Sequence, residues 1–351
     1  MKTLVKFKYQ RLPLTYWKAA STCGTITQEK STSSRVKGTD WKRRELRCEE
    51  HRLLPCLEGT NMDPDISIMF QCPFMGELTQ DKVQVEISPT YNRRVLRGHE
   101  QKIEDIWQQR RQEKPWLFDG AKFRFHSAKL ENGTLTLRLG LTCYKDYLGT
   151  NWSAEATLLQ QQGLADFDDS QAYLAEPLGV GAMLHTADNC FVFLRRSDQV
   201  AEAAGQVDIP GGHPEPKATV KDVPEESIQL EHLVGVLVVQ ELFSSILGEI
   251  RDEVNVPLES LSRPVLLGIA RNNKSAGRAS AEFYVRCKLT SEEVRQRYLI
   301  GGPEAQESTN IIFMKREDVL MLEENANGWR ELCPSAKGGV KLYSLVCPQL
   351  D

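Results

Sequence analysis

Several common functions are closed to this sequence by what it lacks. Its nine cysteines form no C-x-x-C pair. An odd, scattered set of this kind argues for reduced thiols in an intracellular compartment, and against a disulfide framework or zinc site. No apolar run approaches the roughly twenty residues that cross a bilayer. No long apolar region follows a charged start, so no secretory signal is read. There is no G-x-x-x-x-G-K-[ST] phosphate loop and no G-x-S-x-G nucleophile elbow. His213-Pro214-Glu215 supplies H-x-E, half of the zinc-deaminase signature. The other half, P-C-x-x-C, is absent, because Cys333-Pro334 and Cys347-Pro348 run in the wrong order, and zinc is rejected. No internal repeat is found.

What is there is the composition of a globular protein: 351 residues, 40% hydrophobic and 26% charged, enough for one large domain or two ordinary ones. Residues 1–61 carry 13 Lys/Arg against 6 Asp/Glu, while the whole chain is at −4, so the remainder is distinctly acidic. An acidic body argues against nucleic-acid binding. Residues 1–61 read as a disordered basic extension, with a localising basic tail as the alternative. Glu29, Asp40, Glu45, Glu49 and Glu50 count against a mitochondrial presequence. Met62 could start a shorter product.

From Ile66 onward the patterning is that of a fold. Asp65–Cys72 and Lys82–Ile87 alternate as strands, and Gly98–Lys114 has helical period. Lys122–Leu130 and Thr134–Leu141 flank Asn132-Gly133, a hairpin signal. Thr142–Ser153 is an aromatic-rich loop or helix start, and Asp169–Gly181 is a Pro/Gly connection. Ala182–Leu194 reads as two strands. Pro214–Glu231 is expected to be a surface insertion. Leu233, Leu237, Phe243, Leu247, Ile250 and Val254 trace the apolar stripe of a helix. Val265–Ala270 and Glu282–Leu289 are expected strands around a loop Arg271–Ala281. Thr290 caps a helix, Asn310–Met314 is a strand, Asp318–Glu324 a helix and Gly339–Leu345 a last strand. Strands and helices alternate on both sides of the central helix, as an α/β/α sandwich requires.

The chemistry lies in Gly248-Glu249-Ile250-Arg251-Asp252-Glu253-Val254-Asn255-Val256. On a helix, Glu249 and Glu253 share a face, with Asp252 beside them. Such crowding of acids near a helix C-terminus is unfavourable without a cation, and hard oxygen donors suit Mg²⁺ or Mn²⁺. The bland alternative is a solvated helix end. Upstream, Val207-Asp208-Ile209-Pro210-Gly211-Gly212 reads as a strand end entering a glycine turn that allows close backbone approach.

A Pro-Gly-Gly turn followed by a helix carrying R-E-U-x-E-E-x-G-U, with U apolar, resembles the signature of nudix hydrolases, Mg²⁺-dependent enzymes that split nucleoside diphosphates linked to another group. Glu249 matches the first Glu, Asp252 and Glu253 the pair, and Ile250 and Val256 apolar positions. Gly248 stands for the Arg and Asn255 for the Gly. Gln240 occupies an earlier Glu position, with Glu241 one place late, and about thirty residues replace the usual five after the glycines. Asn255 suits a left-handed C-terminus. Pro115-Trp116-Leu117-Phe118-Asp119, the run Tyr144 to Trp152 and Cys333-Pro334-Ser335-Ala336-Lys337-Gly338 resemble the members of this family that hydrolyse UDP-glucose and UDP-galactose.

The resemblance implies a nudix α/β/α sandwich with a mixed sheet at 178–346, preceded by a small α+β domain at 62–175 that helps line the substrate pocket. It implies Glu249 and Glu253 as Mg²⁺ ligands (Mn²⁺ as the alternative), with Asp252 orienting them or reaching a second metal through water. Arg196 would grip the diphosphate, and Ala201 could contribute only backbone groups. Phe118 and Tyr144 would hold the uracil. Asp208 and Ser335 would bond ribose or sugar hydroxyls, while His213 and Glu215 face the diphosphate or sugar. For the aromatics the alternative is plain core packing, and for Arg196 and Glu215 a solvated surface. The expected reaction turns UDP-glucose or UDP-galactose into UMP and a sugar 1-phosphate. A nudix fold that binds nucleotide sugars or a protein partner without turnover is the rival reading, favoured by Gly248. The expected partner is the small-molecule nucleotide sugar, with no nucleic acid and no membrane, and the expected compartment is the cytoplasm, with the nucleus as the alternative.

Overall fold

A computed structural model of the chain describes residues 63–73, 78–198, 200 and 202–346. The readings of residues 1–61, and that of Ala201, lie outside the described residues. The larger sheet runs, in spatial order, β1 (Ile66–Gln71), β9 (Val265–Asn272), β10 (Arg278–Arg286), β5 (Gly179–His185), β6 (Cys190–Arg196) and β11 (Ser308–Lys315). Two short strands complete it: β7 (Val207–Asp208) on β6 and β8 (Gly211–Gly212) on β5. The β5–β10 pair is parallel and the other pairs are antiparallel, so the sheet is mixed. A smaller sheet orders β2 (Val83–Ile87), β4 (Thr134–Cys143) and β3 (Ala121–Glu131).

The helices are α1 (Glu100–Glu113), α2 (Tyr144–Gly149), α3 (Ala156–Phe167), α4 (Pro216–Thr219), α5 (Gly235–Val254), α6 (Ser291–Ile300), α7 (Arg316–Leu320), α8 (Ala326–Glu331) and α9 (Pro334–Val346). Successive strand residues face opposite sides of a sheet, and β10 makes this concrete. Phe283 meets Phe243 of α5 edge-on at 5.0 Å, while its neighbour Tyr284 stacks on Tyr343 of α9 at 5.9 Å. Helices α5 and α9 therefore cover the two faces, giving the α/β/α sandwich. Each aromatic pair of this kind adds about 0.5–1.5 kcal/mol beyond its buried area.

Several expectations hold in detail. Asn132 and Gly133 take positive φ of 51° and 76° in the β3–β4 turn. Asn255 ends α5 in the left-handed region at φ 62°. Thr290 and Glu293 form a capping box at α6.

Others are corrected. Gly339–Leu345 is not a strand but part of α9. Ala336, Val340 and Tyr343 bury one helical face, and the pair Gly338–Gly339 lets the helix lie close to the sheet. A Cβ at Gly338 would come within 2.6 Å of the Ala270 Cβ, and one at Gly339 within 2.6 Å of Ile209. The loop expected over Arg271–Ala281 is mostly strand, with a tight turn only over 273–277; small residues such as Ala279 and Ala281, both buried, hid the alternation. On α5 the buried stripe is Val238, Val239, Leu242, Phe243, Ile246, Ile250 and Val254, whereas Leu237 is 40% exposed. Helix α3 went unread because its buried face is narrow, with only Leu159 and Gly163 buried.

The segment Pro214–Glu231 is no mere surface insertion. Pro216 and Thr219 of α4 are buried, and Glu215 pairs with Lys122 of β3 at 3.3 Å. Strand β1, from the segment before 175, belongs to the larger sheet. One hydrophobic core runs from Phe123, Phe125 and Leu137 through Leu242 and Phe283, and all described residues belong to one compact unit. Among them no helix is long and apolar enough to cross a membrane.

Candidate active site

Gly211 and Gly212 form β8 and place backbone directly against the C-terminal half of α5. The Gly211 N–H donates to Glu253 Oε2 at 3.0 Å. Gly212 lies so close to Glu249 that a Cβ there would collide with the carboxylate. Lack of a side chain at Gly212 is thus what lets Glu249 sit under this backbone, while at Gly211 it lets the segment lie against Val180 of β5 and present its N–H to Glu253, one helical turn on. Glu249 and Glu253 are only 4% and 7% exposed.

Asp252 is equally buried but turns elsewhere. Its two oxygens accept from Arg251 Nε at 2.7 Å and Nη2 at 2.9 Å, and its backbone carbonyl accepts from the Glu304 N–H at 3.0 Å. Gly248, one turn earlier, faces open space. Glu241 accepts the Glu215 N–H at 3.1 Å and so ties the chain leaving the glycine turn back to α5. Displacement of this Glu by one residue from the family spacing leaves it on the loop-facing side of the helix.

Arg196, at the end of β6, donates through Nη1 to Asp208 at 2.8 Å and through Nε to the Glu202 carbonyl at 3.0 Å. Burial alone would lower its pKa, but the charge of Asp208 foremost, with Glu253 and Glu202 adding, holds it above the ordinary value. Asp208 also accepts the Ile209 N–H at 2.9 Å and the Cys333 thiol. Burial first, then the Asp208 charge, pushes that thiol well above its ordinary range, so Cys333 acts as a donor and not a nucleophile. Asp208, expected on a hydroxyl, is therefore engaged in orienting Arg196. Cys333 was missed as a site neighbour; its only sequence signal was adjacency to Ser335, which stands two residues later in the first turn of α9.

Phe118 and the backbone of Tyr144 both lie against Gly120. A Cβ at Gly120 would meet both the Phe118 ring and Glu225 Oε1, and the Tyr144 N–H donates to the Gly120 carbonyl at 3.0 Å. Phe118 is 48% exposed. Tyr144 is half-buried, with its ring edge-on to Trp107 at 6.4 Å. Lys122–Glu215–Glu241 connects this region to the acidic helix. His213 follows Gly212 directly at the same turn. Glu249, Glu253, Arg196 and Asp208 gather around β7 and β8, whereas Phe118 lies at Gly120 and the Tyr144 ring turns to Trp107.

The donor set suits a hard divalent cation. The described residues hold no group of three or more His, Cys, Asp or Glu arranged around a metal. Two buried carboxylates against a glycine backbone are nevertheless what Mg²⁺ uses when phosphate oxygens and water complete its shell.

No protein-family profile matches the chain. Among curated proteins, the human "Uridine diphosphate glucose pyrophosphatase NUDT22" is 58% identical over 290 residues, covering 81% of this chain and 94% of that protein. The mouse protein of the same name is 58% identical over 288 residues, covering 81% and 92%. "Nudix hydrolase 9" of Arabidopsis thaliana is 32% identical over 306 residues, covering 82% and 94%. Among solved structures, the MutT protein from Methanosarcina mazei Go1 covers 48% of this chain and 92% of its own at 15% identity and TM-score 0.28. Identity at these levels, across nearly the whole length of the curated relatives and over a Gly-Gly turn that seats the carboxylates of the following helix, settles the family: the chain belongs to the nudix hydrolases.

Proposed function

We propose that the chain hydrolyses UDP-sugars, UDP-glucose and UDP-galactose among them, to UMP and the sugar 1-phosphate. The observation that carries this reading is the seating of Glu249 and Glu253 beneath Gly211–Gly212, with Arg196 held beside them by Asp208. The activity named for the mammalian relatives supports the uridine diphosphate part.

Water attacks one phosphorus of the anhydride, the bridging P–O bond breaks, and the second phosphate leaves with the sugar. Glu249 and Glu253 hold a divalent cation, Mg²⁺ or Mn²⁺. When bound, that ion polarises phosphoryl oxygens and lowers the pKa of a coordinated water. Arg196 presents a planar fork to the diphosphate; its two existing contacts fix that fork before substrate arrives, so little ordering entropy is lost on binding. Asp208 supplies the fixing carboxylate. Phe118 offers an exposed ring on which a uracil stacks, and Tyr144 flanks it. His213 and Glu215 border the phosphates or sugar from the glycine turn, Ala201 contributes backbone groups, and Ser335 bonds a hydroxyl.

Gly248 favours the rival reading of a binding module without turnover. The two readings part in one assay. The full chain incubated with UDP-glucose and Mg²⁺ releases UMP, EDTA stops the release, and Glu253→Gln lowers kcat on the order of a hundredfold or more with the fold intact. Wild type that binds UDP-glucose yet releases no UMP would establish the binding module.

A further inference from the structure

Asp252 is the one carboxylate of the acidic run that does not face the glycine turn, and its surroundings explain why. Arg251 grips both of its oxygens, at 2.7 and 2.9 Å. This guanidinium is itself 46% exposed while the Asp252 side chain is 10% exposed, so Arg251 forms the outer wall of a buried acid. The charge of Glu304 also favours the same guanidinium, and the Glu304 N–H holds the Asp252 carbonyl. Gly302 packs so tightly on that carbonyl that a side chain there must displace it, its Cβ falling 2.5 Å away. Arg251 is thus paired directly with one buried acid, Asp252, and lies within the field of a second, Glu304, from a different element.

Position 248 lies one turn before 252 on the same helix face. A Cβ there meets nothing within 4 Å, so the space from which a longer side chain could reach Asp252 is open. We propose that Arg251 is the positioning residue of this site: it turns Asp252 away from the glycine backbone so that Glu249 and Glu253 alone meet the cation, and it does so from position 251 because position 248 carries no side chain. This deepens the hydrolase reading and rests on it for its kinetic consequence. Its consequence for metal binding does not.

The sign of the metal effect separates positioning from bare electrostatics. Removing a cation near an acidic site should tighten binding of another cation if charge alone matters. Loss of positioning weakens it, because Asp252 is released to disorder the pair; partners of this kind are worth about tenfold in affinity or activity. The test uses the full chain, calorimetric titration with Mn²⁺ alone, and UMP release from UDP-glucose. Arg251→Ala should weaken Mn²⁺ binding and lower kcat, each about tenfold, with KM changed less than about twofold. Adding Gly248→Arg to that variant should restore both, whereas adding Gly248→Ala should restore neither. Arg251→Lys, which keeps the charge but loses the fork, should fall between. Unchanged or tighter Mn²⁺ binding in Arg251→Ala overturns the proposal, as does equal rescue by Gly248→Ala. Wild type that releases no UMP overturns the UDP-sugar reading instead, and the Mn²⁺ titration still judges Arg251.

Discussion

Glu282 is a carboxylate that the catalytic account does not use, and its position in the core has a measurable cost. It lies on β10, completely buried, on the α9 side between Gly181 and the Gly338–Gly339 pair. Burial pushes its pKa up to about 8, and the charge of Asp208 adds to this, while Ser280 and Arg278 oppose it. The folded state therefore binds a proton that the unfolded chain releases near 4.5. Glu282 contributes its full stability below that lower value and loses it as pH rises through about 8, at up to about 1.4 kcal/mol per pH unit. Glu282→Gln should unfold at nearly the wild-type temperature at pH 5 and at a higher temperature than wild type at pH 9. A wild-type melting temperature with the same pH dependence as the variant would contradict this assignment. Nothing in the sequence marks Glu282, because a lone Glu in a strand of small and aromatic residues reads as an exposed position. Only the packing of α9 buries it.

Helix α5 and strand β8 work as one element, and glycine is what joins them. A methyl at Gly212 meets the far end of a flexible side chain, so Gly212→Ala displaces Glu249 and leaves the backbone in place. Turnover of UDP-glucose should fall on the order of a hundredfold, with circular dichroism and melting temperature close to wild type. Loss of folding, or turnover at the wild-type rate, would remove Gly212 from the seat of the carboxylate. This part was legible in the sequence: Gly211-Gly212, the spacing of Glu249 and Glu253, and the Asn255 terminus all stand as expected. What could not be read was the direction of each side chain. Asp252 and Glu253 are neighbours in sequence, yet one meets Arg251 and the other Gly211, a difference set by loop 301–304 and strand β8. Helix α9 illustrates the opposite failure. Val340 and Leu342 fit a strand locally, while Gly338 and Gly339 let the helix pack closely on Ala270 and Ile209.

Across the whole molecule, the three-stranded sheet and the sandwich share one core, and the segment between the glycine turn and α5 links them through Lys122–Glu215 and Glu215–Glu241. Length alone marked that segment as an insertion. Its function as a bridge depended on a partner strand nearly a hundred residues away, which local patterning does not report. The bridge ties the region around Phe118 to the helix that bears the carboxylates, within one compact unit. The most direct measurement of the central claim is ³¹P NMR of UDP-glucose with the full chain and Mg²⁺. The account predicts loss of both diphosphate resonances and equal growth of UMP and glucose 1-phosphate. Persistence of the diphosphate pair, or conversion to UDP and free glucose, would contradict it.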